Sequence, residues 1–211
     1  MHAPTSLLQA ENLNFRHAPP PAPLIFDQFC LRLPPGVTWL GGDESTGKTT
    51  LLQLLAGALP ASGELQIGGV SLSQNRAAYQ QQVAWLDSRS TALDPQTARQ
   101  IFADLPRHHP GCSLDALQSH IDGLSLTPHL NKALEKLSSG TRRKVLLATV
   151  LAAQTPVTLL DQPFMALDRP SIDYLLDLLA EAASHSGRAW VVADYEAPAG
   201  VALAQVITLG I

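Results

Sequence analysis

Cysteine, charge and long apolar runs are all scarce in this chain. Its 211 residues include only two cysteines, Cys30 and Cys112. That excludes a disulfide scaffold, and no C-x-x-C pair is present to hold zinc. Each thiol reads as buried or inert. Charged residues make up 15% of the chain against 45% hydrophobic, with a formal net charge of −4. A dedicated nucleic-acid binder carries a basic surplus, so no nucleic acid is expected as partner. The longest apolar stretch, 145–153, is far shorter than the ~18 residues of a membrane span. The N-terminus lacks the basic and apolar segments of a secretory signal, so a cytoplasmic chain is expected.

Glycine and proline are plentiful, at 14 and 16 residues, and they punctuate an alternation of apolar strands and helices. Strand patterns run over 7–15, 24–33, 37–40, 64–67, 82–86, 157–160, 190–193 and 206–209. The proline-rich run 17–23 between the first two must be a loop, because proline donates nothing to a ladder. Leucines at helical spacing predict a helix over 49–59. Ser113 is a candidate N-cap for a helix to Gly123. Further helices are predicted over 141–153 and from Pro170, at its first position, to about 185. Residues 88–136 are mostly helical in pattern, with breaks expected at Pro106, Pro110 and Pro128. This order predicts an α/β domain with a largely parallel sheet, an N-terminal antiparallel part and an inserted helical subdomain. The expected division is a core of 1–87 plus 137–211, interrupted by the helical 88–136.

Gly42-Asp43-Glu44-Ser45-Thr46-Gly47-Lys48-Thr49 fits the pattern G-x-x-x-x-G-K-[ST]. The glycines let successive backbone N–H groups turn toward phosphate oxygens. The helix that follows adds its positive dipole end. Lys48 then reaches the β- and γ-phosphates, and the Thr49 hydroxyl ligates Mg²⁺. An apolar strand precedes the loop and an amphipathic helix follows, as a phosphate cradle requires. About 110 residues later the strand 157–160 ends in Asp161, a carboxylate placed to hold the same metal.

A third motif narrows the class. Leu137-Ser138-Ser139-Gly140-Thr141 resembles the LSGGQ signature of ATP-binding-cassette (ABC) ATPases, and it lies about 20 residues before Asp161. Residues 51–65 resemble the segment after the P-loop in that family, and Ala166-Leu167-Asp168 resembles its D-loop. The resemblance covers roughly 7–209. It implies that ATP and Mg²⁺ bind at a dimer interface, between the P-loop of one ATPase chain and the signature of a second, identical or different. The nucleotide set would be Gly42 to Thr50, including Asp43, Glu44, Ser45 and Thr46, with His17 at the adenine and Ser138 and Gly140 serving the partner's ATP. A separate transmembrane permease would be the driven partner, contacted by the helical insertion, with this chain peripheral on the inner membrane face.

The departures from the family pattern cluster in one half-site. Gln162 stands where the family has a glutamate general base, and an amide cannot accept a proton at neutral pH. General-base catalysis is worth roughly 10²–10⁴-fold. Asp194 aligns with the switch histidine. Asp87 aligns with the Q-loop glutamine and could ligate Mg²⁺ through water. All three belong to the site on this chain's own P-loop, while the signature, which serves the partner, is closer to pattern. Slow hydrolysis at the chain's own site follows, unless Asp87 or Asp194 supplies the base. Two other readings stay open: an ATP-dependent dimerisation module with negligible turnover, and a soluble ABC protein outside transport. His108-His109 has no third ligand at a telling spacing and reads as a solvated loop. Arg142, Arg143 and Lys144 in a helix's first turn oppose its dipole, which calls for a local anionic group or a solvated face. Trp39, Trp85 and Trp190 fall in strand patterns and read as core.

Overall fold

The computed structural model describes residues 6–19, 21, 23–60, 62–87, 89–185 and 187–210. Two sheets enclose the core. The first is antiparallel, in the order β2-β1-β4-β5, built from β1 (Leu8–Phe15), β2 (Phe26–Leu33), β4 (Ser62–Ile67) and β5 (Val70–Ser71). The second is wholly parallel, in the order β6-β7-β8-β3-β9. Its strands are β3 (Gly36–Gly41), β6 (Val83–Leu86), β7 (Val157–Asp161), β8 (Ala189–Ala193) and β9 (Leu203–Thr208). This is the expected α/β class. Positions 20 and 22 of the proline-rich run lie outside the described residues.

The central strands β7 and β8 are buried along their whole length, as a parallel sheet covered on both faces demands. Their alternate residues feed two cores. Leu159 and Val191 pack toward α1 (Lys48–Leu55) and the antiparallel sheet. Leu160 and Val192 pack on the other face, in the core shared with α3 (Ala98–His108), α4 (Leu114–Gly123), α5 (Ser139–Ala152) and α6 (Arg169–Ser184). Leu51, Leu52, Leu54 and Leu55 of α1 have no exposed surface. At roughly 1.5–3 kcal/mol for each buried leucine, this short helix is held by packing.

Several local expectations are revised. The helix expected over 49–59 ends at Leu55, where the N–H groups of Ala56 and Gly57 close on the carbonyls of Leu52 and Leu54. The short β5 and α2 (Arg76–Gln80) have no periodic sequence signal. Pro106 does not break α3 but lies inside it, two residues from its end, where it forfeits a single backbone bond. A reciprocal capping box between Thr97 and Gln100 starts that helix firmly. Ser113 caps α4 as expected, accepting from Ala116 N at 3.1 Å. Cys30 is exposed, not buried, and Cys112 is half-buried. Among the described residues, no helix is long and apolar enough to cross a membrane.

Candidate nucleotide-binding site

The loop 42–47 leaves the C-terminal end of β3 and enters α1, so it lies at the strand ends where open α/β sheets bind ligands. Gly47 is the N-cap of α1 with φ +95°, and a Cβ there would approach Ile25 Cγ2 to 3.1 Å. Only glycine meets both conditions without strain. Thr46 Oγ1 donates to Asp43 O at 2.9 Å and tightens the loop. Lys48 is buried, and its ammonium donates to Gly42 O and, at 2.7 Å, to Asp43 O. The Tyr195 ring lies 4.9 Å from the same ammonium. A buried cation needs such partners, and here they hold Nζ inside the curl of the loop.

Thr49, in the first turn of α1, donates from Oγ1 to Asp161 Oδ2 at 2.8 Å. A hydroxyl and a carboxylate from two elements meet here as hard oxygen donors, the set that suits Mg²⁺. Burial pushes the Asp161 carboxyl above its ordinary range, opposed by the Thr49 hydrogen bond and the charges of Arg89, Arg143 and Lys48. A carboxylate so deprived of water gains from a cation. Beside this pair the structure brings a residue that the sequence did not single out. Arg89 Nη2 donates to Thr49 Oγ1 at 2.6 Å and lies 3.8 Å from Asp161 Oδ2.

These groups line one open cleft of about 610 Å³. Of the expected set, His17, Glu44, Ser45, Thr46, Gly47, Lys48, Thr49, Thr50, Asp161 and Gln162 are on its wall. Ile25, Arg89, Met165 and Tyr195 join them. His17 Nε2 is 3.3 Å from Thr50 Oγ1, and its ring meets Phe15 edge-on at 5.0 Å. Gln162 has φ +46° and its N–H donates to Ala193 O at 2.8 Å. A left-handed glutamine costs of order 1–3 kcal/mol, so packing fixes its place at the cleft.

Gly42, Asp43, Asp87, Asp194, Ser138 and Gly140 are not on that wall. Asp87 turns back on its own loop, where Oδ1 accepts from the N–H groups of Arg89 and Ser90, each at 3.2 Å. Asp194 accepts from Tyr195 N at 2.8 Å, and Tyr195 takes the exposed position beside Lys48. Burial also raises the Asp194 carboxyl. Ser138 caps α5, accepting from Thr141 N at 3.2 Å. Gly140 packs so closely that a Cβ would fall 2.4 Å from Ala166 O.

The basic run at the start of α5 is spent within the chain. Arg142 donates to Asp94 at 2.8 Å and to Ser90 O. Arg143 is buried and donates to the carbonyls of Asp161 and Gln162. Lys144 pairs with Asp168 at 2.7 Å and holds that carboxyl down at about 2, with help from Ser171. Among the described residues, no cluster of three or more His, Cys, Asp or Glu could hold a metal ion. Trp190 is buried, while Trp39 and Trp85 are only half so.

A phosphate cradle at the end of a parallel strand, with an acidic residue closing on its threonine, defines a P-loop nucleotide-binding domain. The family model described as ABC transporter matches residues 27–165. The cytochrome c biogenesis ATP-binding export protein CcmA of Pseudomonas putida strain KT2440 is 31% identical over 166 residues, covering 78% of this chain and 79% of that protein. A solved ATP-binding subunit of an ABC transporter superposes with a TM-score of 0.79 at 19% identity, over 90% of this chain and 80% of that one. An ATP-bound bacterial Atm1-family ABC exporter gives 0.71 at 17% identity, over 89% of this chain and 34% of that one. The chain belongs to the ABC transporter family and carries its ATP-binding fold.

Proposed function

We propose that this chain binds MgATP at its own P-loop, pairs with a second ABC ATPase chain, and drives a separate transmembrane permease from the inner face of the membrane, with slow hydrolysis at its own site. One observation carries this reading: Gln162, an amide, is the residue that directly follows Asp161 on the cleft wall. Lys48, Thr49 and Asp161 supply the groups that bind phosphate and metal, so binding is retained where proton abstraction is weak. Thr49 and Asp161 would hold Mg²⁺, which when bound neutralises phosphate charge. Gln162 orients water, as glutamine does in small GTPases of slow intrinsic turnover. Ser138 and Gly140, off their own cleft, complete the partner's. The CcmA relative is named as an export protein of cytochrome c biogenesis, which supports the transport role.

MgATP binding and steady-state hydrolysis test the proposal, with Lys48→Ala as blank and Gln162→Glu beside it. Tight binding, turnover near the blank and a rise of at least about tenfold with glutamate support it. Turnover well above the blank with Gln162 in place overturns the slow-site reading. Asp87→Asn and Asp194→Asn would then show which carboxylate supplies the base.

A further inference from the structure

The geometry points to Arg89 as a protein-borne cation that shares the work of Mg²⁺ at the nucleotide's phosphates, so that this chain holds nucleotide with little dependence on the metal. The inference rests on nucleotide binding at the P-loop as proposed above. Its guanidinium is on the cleft wall, 2.6 Å from the Thr49 hydroxyl and 3.8 Å from the Asp161 carboxylate. Those are the two groups suited to the metal. One positive side chain thus already satisfies the oxygen donors that Mg²⁺ would use.

Arg89 is not a loose surface arginine, although its side chain is 70% exposed. Its backbone N–H is fixed by Asp87 Oδ1. The next carbonyl, that of Ser90, accepts from Arg142, which also binds Asp94. The turn that aims Arg89 at the cleft is therefore anchored on both sides. One oxygen of the Asp87 carboxylate, Oδ1, is engaged in that turn. A guanidinium has five N–H donors in a planar fork that matches phosphate oxygens. With Nη2 on Thr49, the remaining donors reach phosphate at the mouth of the same cradle. Arg89 and Mg²⁺ repel each other at these shared oxygens, so each weakens the need for the other.

The test measures binding of a fluorescent ATP analogue to the full chain, with Mg²⁺ and again with EDTA. For the wild-type chain we expect removal of Mg²⁺ to raise Kd less than about threefold. In Arg89→Ala the same removal should raise Kd at least tenfold, ~1.4 kcal/mol. Arg89→Lys, which keeps the charge and loses the fork, should fall between them. A melting curve for each variant confirms folding, which an exposed loop side chain should not disturb. Equal metal dependence in wild type and Arg89→Ala, with binding retained, overturns the role of Arg89 alone. Binding no stronger than that of Lys48→Ala under every condition overturns the nucleotide reading and this inference with it.

Discussion

Thr49 and Asp161 are 112 positions apart in sequence, yet the threonine hydroxyl donates to the buried carboxylate at 2.8 Å. The bond joins the first turn of α1 to the end of β7, and it fixes the corner of the cleft where charge matters most.

Asp161→Asn keeps an acceptor for Thr49 and removes the charge. Mg²⁺ affinity measured with nucleotide bound should fall roughly 10–100-fold, the scale of losing a metal-supporting group. Stability should respond in the opposite sense. Burial raises the folded carboxyl, so the folded chain keeps this proton above pH 3.8. Wild type then loses stability as pH rises through the folded value, whereas Asp161→Asn shows no such loss. Denaturant midpoints over a pH series check the sign.

His120 is predicted to set much of the acid sensitivity. Burial, with the Arg188 charge nearby, lowers its imidazole to about 4, and Nδ1 lies 2.9 Å from the Tyr174 hydroxyl. The unfolded chain binds the proton first, so stability is present above about pH 6.5 and lost as pH falls toward 4. The shift corresponds to at most about 3 kcal/mol. His120→Leu should flatten stability across that window, and Tyr174 keeps Ser119 O as acceptor at 3.3 Å.

Asp168 separates capping from charge. It caps α6 by accepting from Ser171 N at 3.2 Å, and it pairs with Lys144. Asp168→Ala should cost about 1 kcal/mol of stability through the lost cap. Asp168→Asn retains a good cap and should cost less. Because the folded carboxyl is held at about 2, its stabilisation is present above the ordinary aspartate range and lost as pH falls toward 2. Only the asparagine variant removes that acid limb while keeping the helix start.

Gly140→Ala tests the contact between the signature segment and the D-loop. The new Cβ would lie 2.4 Å from Ala166 O, a backbone atom. Displacing it should destabilise the chain by roughly 1–3 kcal/mol, visible as a lowered melting temperature without nucleotide.

The sequence displays most of the fold and part of the cleft. The parallel strands were legible because full burial makes continuous apolar runs, and the P-loop because its chemistry fixes both residue type and spacing. Pro106 misled because its effect depends on how near the helix end falls, which composition does not reveal. Arg89 was missed because its place depends on the path of a loop. The Asp87-x-Arg89-Ser90 spacing of an Asx turn was the one available signal. Asp87 and Asp194 align with family positions, and the sequence does not reveal that each carboxylate accepts from backbone amides of its own turn. Tyr195 and Met165 reach the cleft through turns that no periodicity encodes.

Arg143 leaves α5 and grips the carbonyls of Asp161 and Gln162 from beneath. The helix capped by Ser138 and the peptide that presents Gln162 are therefore joined through one side chain. One buried guanidinium thus ties the helix capped by Ser138 to the strand end that lines the cleft.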